Sequence, residues 1–215
     1  TWILQRAGAV RAPTAAMILK WGMAAGLVVS AALTGWGLFV ALKGPRLTEL
    51  RVPLQGLPAS ADGFTIVAIS DIHVGDVMTQ RYLDGLTARI EGMKPDLLVV
   101  IGDITDEAGG GDGTTFRKLA AVGAKHGVVA ATGNHEWYSG GESVVEALQG
   151  AGVRVLRQKN EVVGGAFVLA GVDDTTFLGG RNGSAAAIER ALEGREAGLP
   201  VVLLAHQPLG VEHAA

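Results

Sequence analysis

"LLVVIGDITD", residues 97 to 106, is a run of five apolar residues that ends in a glycine and two carboxylates. A continuous apolar run this short, rich in Val and Ile, reads as a strand covered on both faces, as strands in parallel sheets are. Three other stretches have the same construction: "IVAISDIH" at 66–73, "VVAATGNHE" at 128–136 and "VVLLAHQP" at 201–208. In each, an apolar strand delivers Asp, Asn or His to a turn. Three of the five histidines in the chain, His73, His135 and His206, stand at such ends.

Working outward, strands are expected at 64–69, 97–101, 128–131, 153–156, 166–170 and 201–205. Between them lie helical faces marked by Leu83, Leu86, Ile90 and Met93, by Phe116, Leu119 and Ala120, and by Ile188, Ala191 and Leu192. This alternation predicts an α/β fold, a layered sandwich with largely parallel central strands. In such a sheet the carboxyl ends of the strands share one edge, where residues distant in sequence converge. Singly, each motif has an ordinary reading. Asp71 and Asp103 suit turn caps, Asn134 a left-handed turn, and His206 a satisfied histidine before a proline turn. Their joint occurrence, always after a buried strand, favours a divalent-metal site.

The constellation resembles the calcineurin-like metallophosphoesterase family, and its bacterial membrane-associated branch in particular. The matching motifs are D-x-H at Asp71-Ile72-His73, G-D-x-x-D at Gly102 to Asp106, G-N-H-E at Gly133 to Glu136, and the later strand-end His206. The resemblance implies two divalent metal ions, Mn, Fe or Zn. Asp71, His73 and Asp103 would hold one, and Asp103, Asn134 and His206 the other, with the Asp103 carboxylate bridging. It implies cleavage of a phosphate ester or pyrophosphate by metal-activated hydroxide, with His135 as the catalytic group at the leaving oxygen. Family members continue to a G-H-x-H motif with two further ligands. That motif is absent here, since "GVEHAA" lacks its glycine and its second histidine, so the domain is expected to be truncated and His213 to be helix surface. Asp106 is left between orienting a ligand and capping a turn, Asp173 and Asp174 are read as turn caps, His126 as a loop residue and Arg181 as solvated.

Trp21 to Leu42 is 22 residues without a charge, between Lys20 and Lys43. A helix of that length, at about 1.5 Å per residue, crosses the roughly 30 Å of bilayer hydrocarbon. The expected organisation is an upstream fragment or loop at 1–20, a transmembrane helix at 21–42, a proline-marked linker at 43–62 and a metallophosphoesterase domain at 63–215. Arg6, Arg11 and Lys20 before the span are matched by Lys43, Arg46 and Arg51 after it. If "TWIL" ends an earlier helix, the first three occupy a short cytoplasmic loop, and the catalytic domain lies outside the cytoplasm. Residues 44–215 hold 14 Lys and Arg against 21 Asp and Glu, a net of −7. That sign disfavours nucleic acid as a partner. The expected partners are a phosphate-containing substrate, with lipid-linked and cell-envelope compounds among the candidates, and the membrane. A nuclease or cyclic-nucleotide phosphodiesterase, and a metal-binding membrane scaffold without catalysis, are the alternatives. No cysteine is present, so disulfides are excluded.

Overall fold

The structure, a computed structural model, describes residues 12–211 and, within them, every side chain but those of Ala12 and Arg181. "TWIL", Arg6, Arg11 and His213 lie outside the described residues. The chain divides after Thr48 into two compact units.

The first unit contains helix α1, Ala12–Leu42, 31 residues long. It begins nine residues before the charge-free run, so residues 12–20 are helical rather than a loop. Pro13 suits the first turn, where its missing N–H goes unused, and Lys20 alone among Ala, Met, Ile and Leu does not interrupt a helix. From Pro13 to Leu42 the helix is long and apolar enough to cross a membrane. Its large side chains, Trp21, Leu27, Leu33, Trp36 and Phe39 among them, are exposed. Such all-round apolar surface is what a lipid-facing helix presents.

The second unit, from Glu49 onward, is a layered α/β sandwich. Its first sheet is wholly parallel, in the order β1 (Ile66–Ile69), β2 (Leu97–Ile101), β3 (Val128–Ala131), β4 (Arg154–Val155). The crossovers carry α2 (Gln80–Gly92), α3 (Thr114–Ala120), a short α4 (Asn134–Tyr138) and α5 (Glu142–Gly150). The second sheet joins β5 (Lys159–Val163), β6 (Phe167–Gly171) and β7 (Val201–Leu204), with α6 (Thr175–Leu178) and α7 (Arg181–Leu192) between β6 and β7.

The period of two along each strand explains the layers. Leu98, Val100, Val128 and Ala130 face a core with Leu83, Ile90, Phe116, Leu119 and Leu148 from the helices. Leu97, Val99, Val129 and Ala131 point the other way, into a core between the sheets with Phe167, Leu169 and Leu204. Ala170 and Val172 meet Ile188 and Ala191 of α7 on the far face. Each fully buried Leu or Phe contributes about 1.5–3 kcal/mol, so both faces of β2 and β3 are bound to the fold.

The strand expectations differ from the structure in one element. β5 pairs antiparallel with β6, making the second sheet mixed. Its sequence, Lys-Asn-Glu-Val-Val, carries no apolar run because β5 is an edge strand. The signal lay in Gly164 and Gly165, both at positive φ, which suit a tight hairpin turn. Helix α5, with Val144, Val145 and Leu148 buried, and the short α4 and α6 were not anticipated either.

Candidate metal centre

The turns after β1, β2 and β3 share one edge of the parallel first sheet, as expected, whereas the turn after β7 brings His206 to that edge from the mixed second sheet. Backbone bonds lace the first two turns: Asp71 N–H donates to Gly102 O at 3.2 Å, His73 N–H to Asp103 O at 3.0 Å, and Val74 N–H to Ile104 O at 2.9 Å. Asp71, His73 and Asp103 all have positive φ, at 55°, 46° and 53°. Non-glycine residues seldom adopt that region, and such strain collects at functional sites, where surrounding bonds hold it.

Gly102 and Gly133 permit the close approach. A Cβ on Gly102, whose φ is 77°, would lie 2.4 Å from Gly133 N, and one on Gly133 would lie 2.2 Å from Asp103 Oδ1. No side chain fits at either place.

Asp103, nearly buried, is central. Its Oδ2 lies 3.5 Å from His73 Nε2 and 3.4 Å from His206 Nε2, and its Oδ1 accepts the His135 backbone N–H at 2.9 Å. Two donor groups share it: His73, Asp103 and His135, and Asp71, Asp103 and His206, each with ligand atoms within 4.8 Å of one another. This grouping differs from the one the resemblance implies, in which Asp71 and His73 share an ion. The Ser70 hydroxyl engages the Asp71 carboxylate, while Asp106 gathers His73 and His135. Asn134 is half-buried at the first position of α4, between Gly133 and His135.

The histidines are oriented. His206 Nδ1 lies 2.8 Å from the Ile101 carbonyl, a contact in which Nδ1–H donates and which turns Nε2 toward Asp103. Asp106 Oδ1 lies 2.9 Å from His73 Nδ1 and 2.7 Å from His135 Nδ1. The two rings stand edge to face, 4.5 Å between centroids. Asp106 is thus an orienting carboxylate and not a turn cap. Burial of His73 opposes its charged form, yet the Asp106 hydrogen bond and the carboxylates of Asp106, Asp103 and Asp71 outweigh it and raise the pKa above the usual 6.5. Desolvation of Asp106 is likewise outweighed by its bonds to His73 and His135, and its pKa is lowered. Imidazole nitrogens and carboxylate oxygens on pre-oriented groups are the donor set that Mn²⁺, Fe or Zn²⁺ takes, so the residues fit such ions.

One contributor escaped notice as more than a motif letter. Glu136 is fully buried, and its Oε2 accepts from Asp103 N–H at 2.8 Å and Gly133 N–H at 2.7 Å, while Oε1 accepts from Ile104 N–H at 2.7 Å. It ties the turn after β2 to the turn after β3. A carboxylate one residue beyond His135 was the available signal. Of the acidic pair, Asp174 caps α6 through Thr176 N–H at 2.8 Å. Asp173 is no cap: it is buried and accepts from Arg157 Nε at 3.1 Å and Thr132 Oγ1 at 2.8 Å. His126 stacks on Phe64 at 5.4 Å, outside the centre.

The fold is that of a metallophosphoesterase, with candidate metal donors gathered at its strand ends. The chain belongs to the calcineurin-like phosphoesterase family, whose match spans residues 64–214. It is 30% identical over 196 residues to a zebrafish (Danio rerio) transmembrane protein with metallophosphoesterase domain, covering 87% of this chain and 45% of that protein. The cattle (Bos taurus) protein of the same name is 31% identical, with the same coverage. An uncharacterized metallophosphoesterase of Helicobacter pylori is 29% identical over 172 residues, covering 80% of this chain and 45% of the other. The chain thus spans less than half the length of these relatives, which come from animals as well as bacteria.

Proposed function

We propose that this protein is a membrane-anchored phosphohydrolase with two divalent metal ions, cleaving a phosphate ester or pyrophosphate, lipid-linked or cell-envelope compounds included. The observation that carries the reading is the Asp103 carboxylate, whose Oδ2 faces Nε2 of His73 at 3.5 Å and Nε2 of His206 at 3.4 Å. Asp71, His73, Asp103, Asn134 and His206 would hold the ions, of Mn, Fe or Zn type. When bound, such ions neutralise phosphoryl oxygens and acidify water. The chain's own residues do the rest. His206 and His73 present Nε2 because Ile101 O and Asp106 fix their Nδ1 sides. His135, held at Nδ1 by the same Asp106 oxygen, directs Nε2 to the substrate and delivers a proton to the leaving oxygen. The transmembrane names of two relatives and the apolar α1 support anchoring.

The test is hydrolysis of phosphomonoester, phosphodiester and pyrophosphate substrates by the full-length protein, with and without added metal. Turnover is expected only with metal. His135→Ala is expected to keep its metal and lose about 10²–10⁴-fold in kcat, the usual contribution of a positioned general acid. A variant that binds metal and turns over normally removes His135 from the chemistry. Metal binding without turnover of any ester by the unaltered protein makes the scaffold reading correct.

If "TWIL" ends an earlier helix, Arg6, Arg11 and Lys20, on the N-terminal side of the charge-free run, place that side in the cytoplasm. The phosphoesterase domain is then extracytoplasmic, and protease added to cells with a permeabilised outer layer cleaves it. Complete protection reverses the topology.

A further inference from the structure

Beside the metal centre stands an aromatic stack that the chemistry above does not use. The Phe177 and Trp137 rings are parallel within 2°, with centroids 3.6 Å apart. Phe177 is nonetheless 55% exposed, so its uncovered face and rim are open to solvent. Tyr138, 69% exposed, follows Trp137 and lies 5.6 Å from the His135 ring.

The stack is built from below. Trp137 Nε1–H donates to Thr132 Oγ1 at 3.3 Å, and the Arg157 guanidinium lies 5.0 Å from the indole centroid. Arg157 is itself held by both oxygens of the buried Asp173 at 3.1 Å. The stack is also tied to the centre at two points. Trp137 is two residues beyond His135 on α4, and α6, which carries Phe177, packs against α4. Thr175 of α6 bonds Gln207, the neighbour of His206, at 3.0 Å. Arg157 also pairs with Glu142 at 2.7 Å, and Asp173 also accepts from Thr132 and Gln158, so the guanidinium beneath the indole is fixed from several sides.

We infer that Phe177, stacked on Trp137, is a recognition platform for a planar aromatic group, a nucleobase or aryl ring, carried by the phosphate substrate. The inference rests on the phosphohydrolase reading above. A flat ring with one face filled and one open extends by stacking another flat ring, whereas an acyl chain gains nothing from that geometry beyond area. One nucleotide moiety suffices, and no polymer is required of this acidic surface.

The experiment compares two diesters with the same leaving group in the full-length protein: thymidine 5′-(4-nitrophenyl phosphate) and methyl 4-nitrophenyl phosphate. A second readout, independent of turnover, is the dissociation constant of thymidine 5′-monophosphate. Phe177→Ala and Phe177→Leu are expected to lose about tenfold in kcat/KM on the nucleoside ester and about tenfold in nucleotide affinity, from the usual worth of one stacked base. The methyl ester is expected to change less than twofold, and Phe177→Tyr to behave as the parent. Equal losses on both esters, or full retention by the Leu variant, overturn the platform while leaving the hydrolase reading intact. Absence of turnover on both diesters leaves the hydrolase reading to the monoester and pyrophosphate assays above, and the binding constants then decide the platform alone.

Discussion

Asp103→Ala is expected to strip both metal ions and abolish hydrolysis, with metal affinity reduced by more than about 100-fold. Partners that only orient a ligand cost 10–100-fold when removed, and a ligand shared by two ions costs more. The geometry explains why no neighbour substitutes. Asp103 alone belongs to both donor groups, facing Nε2 of His73 at 3.5 Å and of His206 at 3.4 Å. Loss of the carboxylate also leaves the His135 backbone N–H without its acceptor, which loosens the start of α4. Asp103→Asn retains that acceptor and the side-chain shape, so it isolates the charge. Metal content per chain, measured beside hydrolysis and melting temperature, checks the result. Normal metal stoichiometry in the Ala variant would rule out the shared-ligand assignment.

Glu136→Ala is expected to lower stability by about 3 kcal/mol or more even without metal. Each buried N–H left without a partner costs about 1–3 kcal/mol, and Glu136 satisfies those of Asp103, Ile104 and Gly133. Water entering the cavity recovers part of this, which keeps the expectation near the low end of the sum. The variant also frees Asp103 from its left-handed backbone, so metal affinity falls with stability. Denaturant unfolding in the presence of a chelator separates the two effects. A loss under about 1 kcal/mol there would show that the two turns hold their shape without Glu136. Glu136→Gln is intermediate, since its amide nitrogen confronts a backbone donor.

Much of the site was legible because a parallel sheet makes a strand's end a place. Once "LLVVIGDITD" and its counterparts at 66–73 and 128–136 read as buried strands, Asp71, His73, Asp103, Asn134 and His135 had to share an edge, and the donor atoms of Asp71, His73 and His135 do gather around Asp103, joined by His206 from the second sheet. Chemistry borne by residue type was equally open to reading, as was the apolar length of α1. β5 was not, because an edge strand needs no apolar run.

The amino-acid sequence by itself determined the strand ends, their ligand types and the two glycines at the crossing of the turns. Tertiary structure alone decided which groups act on which. Asp106 was undetermined between two roles until folding put one carboxylate oxygen within 2.9 Å of two imidazoles 29 and 33 residues away. Asp173 became the anchor of Arg157, 16 residues earlier, because β5 and β6 pair antiparallel between them. Hydrogen bonds and ring stacking act over a few ångströms, and separation along the chain does not specify that distance until the layers pack.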